Sequence, residues 1–168
     1  NYLGSVSDTA AQLSALVDQL RAEERPVVLV VYGDHKPWLG YNNSAYQELC
    51  VNLDTSTEEG FYNYYGTRYL IWANDAAKEV LGRDFQGEGT AVSSCFLMNL
   101  LFDYVGWTGN AWTQATTDIW REIPVLTSMG SYLRNGALTT ELDLEGQALL
   151  AQYRSLEYYY GTHFQYGS

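Results

Sequence analysis

Residues 27–35 read Val27-Val28-Leu29-Val30-Val31-Tyr32-Gly33-Asp34-His35, and this stretch decides the fold class. Its apolar run follows the breaker Glu23-Glu24-Arg25-Pro26 and predicts a strand over Val27–Tyr32 that is buried on both faces. The run stops at Gly33-Asp34-His35, which places a carboxylate and an imidazole at the carboxyl end of that strand. Ligands of open α/β sheets bind in the crevice outside such strand ends, and Asp and His are favoured ligands of divalent ions. Asp34 and His35 are therefore candidate metal ligands. Gly-Asp is also ordinary turn punctuation, so a plain loop is the competing account.

Upstream, Leu3, Val6, Ala10, Leu13, Val17 and Leu20 recur at helical spacing, so the chain opens on an amphipathic helix. With no initiator Met, this predicts a piece of a longer protein. Downstream, residues 33–60 are polar and irregular, with short helices expected over Ser44–Leu49 and Glu58–Tyr64. A connection that long inside a compact domain points to function or disorder. Thr67–Ala73 reads as a second strand closed by the turn pair Asn74-Asp75, and Gly82–Gly89 as a glycine-rich connection.

The remaining residues predict a helix capped by Ser93 or Ser94 and ended by Gly106, and a helix over Asn110–Glu122. A hairpin turning on Asn135-Gly136 follows, then a closing helix capped by Asp143 with Leu149, Leu150, Tyr153 and Leu156 on one face. The alternation of helices and strands is that of an α/β fold, read as a single unit over residues 1–168.

Composition narrows the function. A chain of 168 residues with 46% hydrophobic content can bury a core, and a net charge of −11 from 9 basic and 20 acidic residues excludes a nucleic-acid footprint. Cys50 and Cys95 stand outside any CxxC pattern, which leaves free buried thiols or one bridge between them. No stretch reaches the roughly 20 apolar residues of a membrane span. GxSxG, P-loop, GxGxxG and HExxH motifs are absent, so a hydrolase complete within these residues is not expected. The 15% aromatic content suits core and helix packing as well as sugar binding, Glu58-Glu59 suits a helix start, and His163 is given no role.

Four segments in order carry a resemblance. The run Asn1–Gly40, with RPVVLVVYGDHKPWLG at its end, is similar to the C-terminal half of the sulfatase-like domain of lipoteichoic acid synthases and related phosphoglycerol or phosphoethanolamine transferases, in the alkaline phosphatase superfamily. Gly66–Asn74 resembles that family's TPxxIWSN strand, Ser94–Gly106 its SxxYLxxLLLxxxG helix, and Leu149–Tyr158 its LLxxYxxLQY helix. Arg68-Tyr69 stands where the family has a Pro.

The resemblance implies the C-terminal portion of a sulfatase/alkaline-phosphatase-like α/β sandwich, with a small terminal hairpin and a closing helix. It implies a metal-dependent phosphotransferase in which a threonine nucleophile takes the headgroup of an anionic membrane lipid, on the extracellular face of a cell membrane. Asp34 and His35 match two ligands of the divalent metal (Mn, Mg or Zn). Lys36, which follows them, is a candidate phosphate-binding residue at the border of the pocket, with a solvent-facing loop lysine as the competing account. The nucleophile and the remaining ligands belong to the family's N-terminal half. The chain alone is therefore expected to be soluble and inactive, and its strand to keep an unpaired edge suited to self-association. A non-catalytic acidic extracellular binding module, or part of a sulfate-ester hydrolase, are the alternatives.

Overall fold

The computed structural model describes residues 2–164. Among them are seven α-helices and two small antiparallel sheets, a mixed α/β composition. Two compact units divide between Gly87 and Glu88, inside the glycine-rich connection.

The first unit contains α1 (Tyr2–Arg21), β1 (Val28–Tyr32), α2 (Ser44–Glu48), α3 (Glu58–Tyr65), β2 (Tyr69–Ala73) and α4 (Asp75–Leu81). β1 pairs antiparallel with β2, from Val28 opposite Ala73 to Tyr32 opposite Tyr69. The expectation of a strand buried on both faces is corrected: Val28–Val31 are half-buried and Tyr32 is exposed. A two-stranded ribbon cannot enclose an apolar run as a wide sheet between two helix layers does.

Bonds from Gly33 N to Arg68 O and from Asn74 N to Val27 O, each 3.1 Å, set the alternation of the ladder. Residues 27, 29, 31 and 33 thus face β2, and the N–H and C=O groups of Val28, Val30 and Tyr32 point to the opposite edge. Among the described residues that edge has no partner strand. The predicted α1 forms, but none of its residues is buried, and Leu3 is 74% exposed.

Asn74 ties the unit together. It was read as part of a turn pair; instead it is the N-cap of α4, a helix the sequence reading omitted. Its Oδ1 accepts from Ala77 N at 2.9 Å and from Val27 N at 3.0 Å, while its Nδ2 donates to Glu23 O at 2.9 Å and Arg25 O at 2.8 Å. The α1–β1 connection is thereby fastened to the β2–α4 corner.

The second unit runs through a 3-10 turn (Ser94–Phe96) into α5 (Leu97–Val105), then α6 (Ala111–Glu122), β3 (Val125–Leu126), β4 (Tyr132–Arg134), β5 (Ala137–Thr139) and α7 (Leu144–Thr162). The strands pair in the order β3-β4-β5. Asn135 (φ 54°) and Gly136 (φ 76°) make the hairpin turn, as Asn-Gly predicts, because both central residues of a type I′ turn need positive φ. Asp143 caps α7 by accepting from Gly146 N at 2.7 Å. Ser93 does not cap its helix through its side chain. Its hydroxyl donates to Leu126 O and accepts from Leu126 N, which fastens the start of the helix to β3.

Phe96 and Ile119, both fully buried, pack with Trp120 and Tyr153, and a second cluster joins Ile123, Tyr132 and Leu142. Tyr153 meets Phe96 edge-on at 5.5 Å, and burial, followed by its bond with the Cys95 thiol, pushes its phenol well above the usual value. Both cysteines are free thiols, with Cys50 exposed rather than buried.

Arg134 on β4 is an exception within this apolar setting. Its side chain is 6% exposed and binds Glu122 at the end of α6, Glu145 at 2.9 Å and Asp143 at 3.5 Å at the start of α7. Removing it would leave three clustered carboxylates without their cation and a void where its stem packs. Arg134→Ala is expected to lower the melting temperature by on the order of 10 °C, and Arg134→Met by clearly less, since Met restores the packing. Calorimetry checks both; equal melting points for the two variants would show that packing contributes nothing.

Candidate functional site

Gly33-Asp34-His35 lies where β1 ends, as the sequence implies, and the polar segment that follows is folded over it. This segment leaves β1, turns through Gly40 (φ 79°), Asn42 (φ 49°) and Asn43 (φ 60°), forms α2, and reaches α3. Asp34 through Trp38, Asn43, Tyr46, Leu53 and Asn63 through Tyr65 line a cavity of about 280 Å³. The long connection is thus the wall of a pocket. Tyr46 holds it in place by donating from its hydroxyl to Pro37 O at 3.0 Å.

Asp34 and His35 sit at the open mouth, with side chains 83% and 76% exposed. Asp34 Oδ1 accepts from His35 N at 2.9 Å, which fixes the turn. His35 Nδ1 lies 3.0 Å from Lys36 O; a carbonyl only accepts, so Nδ1 carries the proton. In the neutral ring Nε2 then carries the free lone pair, and it lies 3.7 Å from Asp34 Oδ2. Two ligands about 2.1 Å from a shared divalent ion stand about 3.4 Å apart at the tetrahedral angle, so this pair fits one ion. The Nδ1–H bond to a backbone carbonyl is also the usual way in which a metal-binding histidine is oriented. Among the described residues no third His, Cys, Asp or Glu completes a group with them.

Lys36 occupies the inner wall and is already engaged. Its Nζ donates to Tyr62 O and Asn63 O, carbonyls in the last turns of α3, where a cation meets the negative end of the helix dipole. Burial, with Arg68 nearby, lowers its pKa. Glu58-Glu59 opens α3 behind the Thr57 cap, whose Oγ1 accepts from Gly60 N at 3.1 Å, so it has the helix-start role read from sequence. His163 ends α7 and stacks on Tyr159.

The sequence reading passed over Asn43, Tyr46, Tyr64 and Tyr65 as pocket residues. Asn43 Oδ1 is buried without a hydrogen-bond partner, and Tyr64 and Tyr65 meet edge-on at 4.7 Å with each ring more than a third exposed. The available signal was two consecutive asparagines shortly after Gly40, residues suited to left-handed backbone, and two tyrosines left over after α3 has buried Phe61. No family model, curated protein or solved structure matches the chain.

Proposed function

We propose that this chain is the C-terminal portion of a metal-dependent phosphoglycerol or phosphoethanolamine transferase with a sulfatase-like domain, acting on anionic lipid headgroups at the outer face of a cell membrane. The observation that carries this reading is the pair of donor atoms at the end of β1. His35 Nε2 and Asp34 Oδ2 stand 3.7 Å apart, with the ring oriented by its bond to Lys36 O. An imidazole nitrogen and a carboxylate oxygen suit Mn²⁺, Mg²⁺ or Zn²⁺.

Asp34 and His35 would hold such an ion. When bound, it would lower the effective pKa of a hydroxyl nucleophile and offset charge on the phosphoryl oxygens. His35 would contribute a neutral ligand through Nε2, because its one ring proton stays on Nδ1 and is donated to the Lys36 carbonyl, and Asp34 would contribute the negative charge. Lys36 supports the α3 end of the pocket and borders the substrate. The nucleophile and the other ligands would come from the N-terminal half of the same domain, and further strands of its sheet would join the open edge of β1.

In a longer protein that contains this chain with that nucleophile, Asp34→Ala and His35→Ala are each expected to lower release of a labelled lipid headgroup at least about 100-fold. The 168-residue chain alone is expected to hydrolyse no phosphodiester or glycerophospholipid analogue with added Mn²⁺, Mg²⁺ or Zn²⁺. Turnover by the chain alone that disappears on Asp34→Ala would overturn the incomplete site; full activity of both longer variants would overturn the metal assignment. The aromatic lining around a two-ligand site favours a second reading, a non-catalytic acidic binding module.

A further inference from the structure

The cavity beside Asp34 has a chemical bias that extends beyond the Asp34–His35 pair at its mouth. Its lining presents acceptors and aromatic faces, while two of its strong donors are engaged within the protein. The Lys36 ammonium is bound to the Tyr62 and Asn63 carbonyls, and the Tyr46 hydroxyl to Pro37 O. On the accepting side, Asp34 brings a carboxylate to the mouth, Asn43 Oδ1 is buried with no donor to meet it, and α3 directs its negative end at the wall. Trp38, 73% exposed, and the edge-to-face pair Tyr64 and Tyr65 add ring faces whose quadrupoles attract cations.

With no metal bound, a phosphate or carboxylate finds Lys36 engaged by carbonyls and Asp34 repelling it. A sugar is the competing ligand, since the Trp38 indole N–H and the Tyr64 and Tyr65 hydroxyls are donors on the same lining, but it leaves the Asp34 charge unmatched. A small cation with an apolar surface matches both the Asp34 carboxylate and the ring faces, and about 280 Å³ holds a small headgroup rather than a peptide or an acyl chain.

We infer that this cavity binds an organic ammonium group, of the choline or ethanolamine type, between the aromatic rings and the acceptors Asp34 and Asn43. The inference goes beyond the phosphotransfer reading and does not rest on it, because binding is read without turnover and without metal.

Calorimetric titration of the full chain with choline chloride and with ethanolamine hydrochloride tests it, using sodium chloride, sodium phosphate, glycerol and methyl glucoside as comparisons. Saturable binding of both amines is expected, with a Kd on the order of millimolar. Trp38→Ala should weaken both amines at least tenfold, while Trp38→Phe retains most of the binding because a ring face remains. Asn43→Gly keeps the left-handed backbone and removes the acceptor. It should therefore weaken ethanolamine, whose ammonium donates hydrogen bonds, more than choline, whose ammonium cannot.

Sedimentation with vesicles identifies the source of the ligand. Retention on phosphatidylcholine or phosphatidylethanolamine vesicles but not on phosphatidylglycerol vesicles assigns a lipid headgroup, and binding of the free amines alone assigns a solute; either supports the site. No saturable binding of either amine, tighter binding of glycerol, glucoside or phosphate, or unchanged affinity in Trp38→Ala would overturn it.

Discussion

Asn74→Ala is expected to remove about 4 kcal/mol from the stability of residues 1–87, a large part of the roughly 5–15 kcal/mol that holds a domain folded. The reasoning starts from exposure: Asn74 is 1% exposed, so water cannot replace what its side chain provides. Truncation deletes the α4 cap, worth about 1 kcal/mol. It also leaves the part-buried groups Val27 N, Glu23 O and Arg25 O without their amide partner, and each lost bond costs about 1 kcal/mol.

Asn74→Asp separates the two halves of the amide. It keeps the oxygen that caps α4 and accepts from Val27 N, but turns the donor toward Glu23 O and Arg25 O into a second acceptor. It is expected to destabilise about as much as Ala, because an anion facing carbonyl oxygens is repelled. Hydrogen exchange should show the loss of protection centred on residues 20–32 and 69–81. Unchanged protection there in both variants would rule out Asn74 as the fastening between the two segments.

Gly60→Ala is expected to destabilise by about 3 kcal/mol, opposite in sign to what helix propensity implies. Gly60 lies inside α3, where replacing Gly with Ala ordinarily gains about 1 kcal/mol. Here an added Cβ would stand 2.0 Å from Asp54 O and 2.6 Å from Asp54 C, both backbone atoms that cannot rotate away. The Asp54 carbonyl accepts from Thr57 N at 3.0 Å and Thr57 Oγ1 at 2.9 Å, and Thr57 in turn caps α3. Relieving the clash therefore breaks the turn and the cap together, adding overpacking of about 1–3 kcal/mol to a lost cap of about 1 kcal/mol. Urea unfolding of the variant measures this. A stabilised Gly60→Ala would show that the Asp54–Thr57 turn moves away without cost. Because Leu53 and Tyr64 flank this contact and line the cavity, the variant should also weaken amine binding at the pocket.

Much of the chain was legible where the signal is local. Asn135-Gly136 made a hairpin because positive φ at both positions is a property of those two residues. Asp143 capped its helix for a similar reason, since a short acceptor side chain reaches an N–H three residues on; Asn110, read as the first residue of its helix, caps α6 in the same way. The end of β1 at Gly33-Asp34-His35 was also visible, as a sharp change from apolar to polar residues. Where partners lie far apart in sequence the reading failed. Ser93 has the composition of a cap, yet Leu126, 33 residues away, takes its hydroxyl. Asn74 reads as a turn residue, and its bonds to residues some 50 positions upstream follow from no pattern around it.

The sequence by itself determined the order and type of most elements, the acidic charge and the two donor residues at the end of β1, because periodicity, turn chemistry and residue identity act over a few neighbouring positions. Only the tertiary structure decided that β1 runs antiparallel to β2, that Lys36 is bound to the end of α3, and that Asn43, Tyr64 and Tyr65 meet Asp34 around one cavity. An apolar run does not encode the direction of its partner, and a side chain's role depends on which distant backbone groups reach it first.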